Sequence, residues 1–149
     1  MNGLECRVQY PLAHYELAVD LSVKPGVTVL LGPNGSGKTS LLRLLAGLAK
    51  PRAGRIKLGD RLLFDAHKKI DLPPEQRRIG MVFQDLALFP HLNVKQNTAF
   101  GLNIRRLPKG EVKTQVDSML DKLGITQLAE RSVTTLSGGE RQKVALART

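Results

Sequence analysis

The nine residues GPNGSGKTS (32–40) contain the spacing G-x-x-x-x-G-K-[ST]. Its fixed positions are held by Gly32, Gly37, Lys38 and Thr39. The apolar run VTVLL (27–31) precedes them and predicts a buried strand. A stripe of leucines at helical spacing follows and predicts a helix that Pro51 stops. The stripe consists of Leu41, Leu44, Leu45 and Leu48. Strand, glycine-rich loop and helix in this order predict an α/β core.

The glycine-rich loop predicts a phosphate-binding site. Glycines let backbone N–H groups turn inward around phosphate oxygens, and the following helix adds the positive end of its dipole. Lys38 would reach the terminal phosphates of a nucleotide, and the Thr39 hydroxyl would bind magnesium. The predicted nucleotide contacts are Gly32, Pro33, Asn34, Gly35, Ser36, Gly37, Lys38, Thr39 and Ser40. The alternative, a glycine-rich turn with an unrelated lysine, leaves the strand and helix around the loop unexplained.

Periodic patterns organise the rest of the chain. Polar and apolar residues alternate over residues 4–10 and 15–23, which predicts two half-buried strands. RIKL (55–58) and RLLF (61–64) predict a hairpin, and IGMVF (79–83) predicts another short buried strand. From Asn93 onward the chain is predicted to be helical. The clearest amphipathic stripe is Val112, Val116, Met119, Leu120 and Leu123.

Composition limits the class of protein. The 149 residues fit one domain. The net charge of +10 points to anionic partners such as nucleotide phosphates, nucleic acid or lipid head groups; the alternative is that an acidic segment missing from this sequence would balance it. Only four Phe and two Tyr are present, which disfavours a stacking platform for single-stranded nucleic acid. Cys6 is the single cysteine, so an internal disulfide is excluded. No signal peptide or membrane span is predicted, and we expect a cytoplasmic chain.

The heptad LSGGERQ (136–142) predicts a second phosphate contact. Ser137 followed by Glu140 forms a capping box, which predicts a helix start. Gly138 and Gly139 weaken that first turn, which makes sense if an anion must approach the bare N–H groups there. A capping box with tolerated glycines is the alternative, and it does not explain why both glycines are present.

With this heptad following the glycine-rich loop, the chain resembles the ATP-binding cassette (ABC) ATPases, whose signature motif is similar to LSGGERQ. The resemblance implies ATP and Mg²⁺ as cofactors and a head-to-tail homodimer. Ser137, Gly138 and Gly139 would then contact the γ-phosphate of ATP bound to a second copy of the chain.

Further residues gain roles from the resemblance alone. IGMVFQD (79–85) places Gln84 where the family has its Q-loop glutamine, next to the magnesium and the attacking water. This implies Lys38 and Gln84 as catalytic residues, and Thr39 and Gln84 as metal ligands. Tyr10 lies near the position of the family's adenine-stacking aromatic residue. Tyr15 is a rival for that role, and a core position is the alternative for both tyrosines.

Residues 73–94, PPEQRRIGMVFQDLALFPHLNV, resemble the ATPases of bacterial importers, and RLLFDAHKKIDLPPEQRRIG (61–80) resembles the molybdate-type members most. The implied function is coupling of ATP hydrolysis to uptake of molybdate or a related oxyanion. The implied partners are a transmembrane permease, which would meet DLALFPHLNV (85–94), and indirectly a solute-binding protein. The protein would lie peripherally at the cytoplasmic face of the inner membrane, without nucleic acid. The alternatives are a soluble ABC ATPase acting on ribosomes or DNA, and a fragment that binds nucleotide without hydrolysis.

The fold class that the resemblance implies is an α/β P-loop nucleoside triphosphatase. It would have an ABC-type antiparallel β subdomain and P-loop core at residues 1–84, and a helical signature subdomain at 85–149. In the family, the signature helix leads to the Walker B strand, which ends in aspartate and glutamate. At the family spacing these acids fall beyond Thr149. We therefore expect a domain truncated before that strand, with weak ATP binding, negligible hydrolysis and a tendency to aggregate.

Overall fold

The computed structural model describes residues 3–149 and divides after Ile79 into two compact units. The resemblance implies a subdomain boundary after Gln84, at the end of a predicted strand. Residues 79–83 do not form a strand, and the change from one unit to the other falls at Gly80.

The first unit contains an antiparallel five-stranded sheet in the order β2-β1-β3-β4-β5. The strands are β1 (Leu4–Pro11), β2 (Glu16–Val23), β3 (Ala53–Leu58), β4 (Arg61–Asp65) and β5 (Ile70–Asp71). The strands predicted from alternation and the predicted hairpin are confirmed. In β1, Cys6 and Val8 point into the core while Glu5 and Arg7 are exposed, as a side-chain period of two requires.

The sheet packs its apolar face on the helix that follows the glycine-rich loop. This helix, α1 (Lys38–Ala46), buries Leu41 and Leu44 in one cluster with sheet residues. The buried sheet residues of the cluster are Cys6, Val8, Ile56, Leu63 and Phe64. The predicted helix end was wrong. α1 ends at Ala46 and is capped by Gly47, whose φ of 80° is readily adopted by glycine, so Leu48 lies beyond the helix and is exposed.

Two predicted buried strands are wrong. Residues 27–31 are exposed and form no strand, with Val27 98% and Leu31 85% accessible. Residues 79–83 are also irregular, and Val82 is exposed. A strand needs neighbours to accept and donate its backbone hydrogen bonds, and none of the five strands in residues 3–149 pairs with either segment. Their apolar composition indicates a tendency to be buried but does not supply these bonding partners.

The second unit is helical. It contains α3 (Val94–Ile104), α4 (Lys109–Lys122) and α5 (Gly138–Arg148), with single 3-10 turns at Thr126–Leu128 and Val133–Thr135. A short helix, α2 (Pro74–Arg77), precedes them in the first unit. The predicted stripe of α4 is confirmed at Val112, Val116 and Leu120, which are buried against Val94 of α3 and Val144 of α5 among others. No helix in the described part of the chain has the length and apolar character needed to cross a bilayer.

Candidate functional site

The predicted phosphate loop adopts a conformation that requires glycine. Gly35 and Gly37 have φ of 80° and 87°, in the left-handed region that residues with a Cβ atom rarely adopt. A Cβ atom on Gly37 would also lie 2.9 Å from Leu17 Cδ1, and one on Gly32 would lie 2.9 Å from Ser36 Oγ. Residues 32–36 are exposed. The loop is therefore shaped by its glycines and open to a ligand.

The Lys38 side chain and the start of α1 both bring positive charge to this loop. The Lys38 ammonium group folds back across the loop and donates to the carbonyl oxygens of Gly32, at 2.8 Å, and of Pro33, at 2.7 Å. Lys38 is also the first residue of α1, whose first turn carries no acidic residue. The helix dipole and the ammonium group thus reinforce each other without a neutralising carboxylate in that turn, which favours binding of an anion.

The Thr39 hydroxyl suits magnesium better than it suits a transition metal. Thr39 lies exposed in the first turn of α1, and hard cations prefer oxygen ligands. Within residues 3–149 no cluster of three or more His, Cys, Asp or Glu side chains is placed to hold a metal ion. Magnesium typically keeps several waters and binds one or two protein groups together with substrate phosphates.

The two candidate tyrosines differ in their contact with the loop. The Tyr15 hydroxyl donates to the Gly35 carbonyl at 2.6 Å, and Tyr15 is 46% exposed. Tyr10 is half-buried in β1, opposite Leu17 of β2, and packs against the core cluster of the first unit. Adenine stacking by Tyr10 stays a prediction, and the contact of Tyr15 with the phosphate loop is a finding that the sequence pattern did not contain.

Arg77 is a residue that the sequence analysis missed. Its guanidinium group is fully buried and donates to the carbonyl oxygens of Leu44, at 2.7 Å, and Leu45, at 3.1 Å, in the last turn of α1. It also donates to Leu72 O at 2.7 Å and to the Asp71 carboxylate at 3.1 Å. Burial lowers the pKa of Arg77, and the charge of Asp71 opposes that effect. Arg77 therefore caps the helix that starts at the phosphate loop.

The predicted capping box at the start of α5 is confirmed. One carboxylate oxygen of Glu140 accepts from the backbone N–H and from the hydroxyl of Ser137, both at 2.7 Å. The Ser137 Oγ atom in turn accepts from the Glu140 N–H at 3.4 Å. These hydrogen bonds from Ser137, the hydroxyl first, hold the pKa of Glu140 below its usual range. The box fixes the helix start but does not account for the glycines inside it.

Gly138 and Gly139 are open to the surroundings. A Cβ atom on either residue would meet no atom of the described chain within 4 Å, and neither glycine has the positive φ that would explain it. Nothing within residues 3–149 therefore requires glycine at these positions. The open space beside both glycines is compatible with close approach of a group from outside the chain, and also with glycines that the capping box tolerates.

Gln84 lies in an exposed turn and not at the end of a strand, which corrects the predicted context of this residue. The structure places Lys38 and Thr39 in the first unit, and Gln84, Ser137, Gly138 and Gly139 in the second. The last two residues of this turn, Leu86 and Ala87, have positive φ although neither is glycine.

Asn97 is a second residue that sequence reasoning missed. It is fully buried in α3, and its side-chain amide donates to the carbonyl oxygens of Phe89, Leu92 and Asn93 at 3.0–3.1 Å. Its side-chain oxygen accepts from Phe89 N–H at 2.9 Å. Asn97 thus satisfies the backbone of the segment before α3, to which the family resemblance assigns a partner contact. A helical asparagine gives no sign in the sequence that it will be buried.

Comparison with known proteins identifies the family. A family model described as ABC transporter matches residues 17–149. The molybdenum import ATP-binding protein ModC of Rhodospirillum rubrum is 50% identical over 132 residues, covering 89% of this chain and 35% of that protein. The trehalose/maltose import ATP-binding protein MalK of Thermococcus litoralis is 47% identical over 131 residues, covering 87% of this chain and 35% of that protein.

A solved structure supports the same fold. The structure of cbiO1 from Clostridium perfringens, described as part of the ABC transporter complex cbiONQ, matches with a TM-score of 0.80 at 31% identity. The match covers 97% of this chain and 59% of that chain. The chain spans 35% of the length of the ModC and MalK relatives above. The family model covers most of the sequence, including the phosphate loop and the LSGGERQ heptad, and the predicted fold class is confirmed: the chain belongs to the ABC transporter family.

Proposed function

We propose that this chain is part of the ATP-binding subunit of a bacterial importer that couples ATP hydrolysis to solute uptake. The observation that carries the proposal is the exposed phosphate loop, in which Gly35 and Gly37 adopt left-handed φ and Lys38 lies across the opening at the start of α1. Backbone N–H groups, the helix dipole and the ammonium group all favour the triphosphate there.

The proposed chemistry is attack of water on the γ-phosphate, giving ADP and inorganic phosphate. Magnesium, when bound with the nucleotide, would neutralise charge on the β- and γ-phosphates. Lys38 would stabilise the charge of the transferring group, while Thr39 and Gln84 hold the metal and Gln84 also orients the water. Ser137, Gly138 and Gly139 would complete the pocket of a second copy of the chain. The open space beside both glycines is compatible with this role.

The proposed membrane partner is a permease that meets residues 85–94 in the second unit. A groove of about 720 Å³ adjoins this segment between α3 and α4, where Phe100 and Ile104 are exposed beside Lys95 and Lys113. Partly apolar exposed surface of this kind is typical of a protein contact. The subunit would then lie at the cytoplasmic face of the membrane, and a solute-binding protein would act on the permease from the other side.

The proposed solute is molybdate or a related oxyanion. The ModC relative named above is a molybdenum import protein, and the RLLFDAHKKIDLPPEQRRIG resemblance supports the same class. The MalK relative, named for trehalose and maltose, has nearly the same identity, so a sugar is the competing solute class.

Substitution Lys38→Ala tests the proposal. In the chain, we expect binding of a fluorescent ATP analogue with Mg²⁺ to weaken at least about tenfold, since one charge-assisted contact to phosphate contributes roughly 1.5–3 kcal/mol. Lys24→Ala is the matched control, because Lys24 is an exposed lysine of the same unit outside the loop. In cells carrying the intact protein with its permease, Lys38→Ala should abolish molybdate uptake and the control should not. Equal binding by both variants would contradict the site, and maltose uptake without molybdate uptake would contradict the solute class.

A further inference from the structure

Arg148, the last residue of α5, joins that helix to the turn after Gln84. Its guanidinium group donates to Ala87 O at 2.5 Å and to Leu86 O at 3.1 Å. The same group lies over the Phe89 ring, 5.2 Å from the ring centre to Cζ. Arg148 is half-buried, and this burial lowers the pKa of its guanidinium group. The contacts cross 61 and 62 positions of sequence, so Arg148 links elements that are far apart in the chain.

The turn that Arg148 contacts has an unfavourable backbone. Leu86 and Ala87 have φ of 61° and 44°, in the left-handed region where a Cβ atom crowds the backbone. The Leu86 N–H donates to Phe83 O at 3.0 Å and closes the turn. The carbonyl oxygens of Leu86 and Ala87 accept hydrogen bonds from Arg148. Two consecutive strained residues persist only where surrounding groups hold them in place. Arg148 supplies that restraint on the side of α5.

A second helix holds the segment from its other end. Asn97 of α3 bonds both the N–H and the carbonyl oxygen of Phe89, and the Phe89 ring packs 4.3 Å from the Phe100 ring between centroids. Residues 86–89 are thus fixed between α3 and α5 within the second unit. They lie inside the segment proposed to meet the permease.

We propose that Arg148 is a positioning residue, which holds the 86–89 turn in the shape that the permease recognises and ties it to the signature helix. This inference rests on the proposed function, because it assigns a partner to residues 85–94. α5 runs from Gly138 to Arg148, a rigid element about 15 Å long. A displacement of its glycine-bearing start, where the second nucleotide would bind, therefore moves the carbonyl contacts at its end.

The chemistry of the contact favours arginine over lysine. The planar guanidinium group donates to two carbonyl oxygens at once and lies over an aromatic ring, whereas an ammonium group acts as a single point charge. Lysine at this position would keep the charge and at most part of the hydrogen bonding. The substitution Arg148→Lys therefore tests whether the positive charge alone is sufficient or the planar group is needed.

The experiment compares Arg148→Met, Arg148→Lys and the control Lys143→Met in the intact protein. Lys143 lies on the same helix, is exposed, and loses the same charge on substitution. Three quantities are measured: the KM for ATP, the basal ATPase rate, and the concentration of permease in detergent that gives half-maximal stimulation. Hydrogen exchange of residues 85–89 and of α4 is followed in parallel.

We expect Arg148→Met to raise the half-saturating permease concentration about tenfold, while KM and the basal rate change less than about twofold. Exchange should accelerate at 85–89 and stay unchanged in α4. Arg148→Lys should recover only part of the loss, and Lys143→Met should behave like the wild type. Full recovery by Arg148→Lys would overturn the role given to the planar group.

Other outcomes separate the two proposals. An Arg148→Met protein with an unchanged permease titration overturns the positioning role while leaving the proposed function intact. Parallel loss of the basal rate, the stimulation and the protection of α4 shows a general stabilising role and overturns the inference as well. If the wild type is not stimulated by any permease, the proposed function fails, and so does the inference that rests on it.

Discussion

Glu140 gives the start of α5 a dependence on pH. Its carboxylate accepts two hydrogen bonds from Ser137, and these lower the pKa of Glu140 below its ordinary value of 4.5. A lowered pKa means that folding favours the charged form. The stabilisation is therefore complete above the ordinary pKa and is lost as the pH falls through the lowered one. At neutral pH the charged carboxylate also complements the positive end of the helix dipole.

The Ser137 amide resonance reports this titration directly. We expect its proton chemical shift to titrate with a midpoint below 4.5, because Ser137 N–H donates to the Glu140 carboxylate at 2.7 Å. In Glu140→Gln the titration should vanish, while Glu75→Gln, a change to an exposed glutamate of the other unit, should leave it in place. A midpoint at or above the ordinary glutamate value would mean that the capping box does not form in solution.

At the scale of the element, α1 is held at both ends by features outside its apolar stripe. Its start is shaped by Gly37, and the carbonyl oxygens of its last turn are bonded by the buried Arg77. Gly47 caps the helix next to the Arg77 side chain, and a Cβ atom on Gly47 would lie 2.6 Å from Arg77 Nε. The leucine stripe decides which face of α1 is buried, and Arg77 decides how the helix ends.

Replacing Arg77 by Met should destabilise the first unit by about 3 kcal/mol, because carbonyl oxygens of Leu44 and Leu45 lose a charged donor in a buried position. Arg78→Met is the matched control, since Arg78 is the exposed neighbour. Urea unfolding followed by circular dichroism measures both. Because α1 begins at the phosphate loop, Arg77→Met should also weaken nucleotide binding. Equal stability of the two variants would contradict the capping role.

The elements that a short stretch of sequence specifies by itself were predicted correctly. The alternation in β1 and β2, the hairpin of β3 and β4, the stripe of α4 and the capping box at Ser137 are all present. The phosphate loop was predictable because its glycines, lysine and threonine are fixed by close geometry. The irregular conformation of residues 27–31 and 79–83 could not be predicted, because a strand depends on a partner strand that its own sequence does not encode. Arg77 and Arg148 bond carbonyl oxygens 33 and 61 positions away, which no short pattern reveals. Asn97 bonds a carbonyl oxygen only five positions away, but nothing in the sequence marks this helical asparagine as buried.

At the scale of the whole chain, net charge and exposed apolar surface oppose each other. The charge of +10 keeps molecules apart at low ionic strength. The run VTVLL (27–31) presents Val27, Val29 and Leu31 to solvent at 98%, 72% and 85% exposure, with backbone groups that no described strand pairs. Apolar strand-like segments with free backbone groups tend to pair with other molecules. When salt screens the repulsion between molecules, association through this run should therefore increase.

We expect the 149-residue chain to associate increasingly as NaCl rises from roughly 20 mM to 500 mM, since the Debye length falls from ~20 Å to ~4 Å over that range. Light scattering at fixed concentration measures the effect. Leu31→Lys should suppress association at high salt, because it places a charge within the apolar run. Leu146→Lys, at another exposed leucine on α5, is the control and should not suppress it. Association that weakens with salt would instead indicate contacts between opposite charges, and it would show that residues 27–31 do not drive the process.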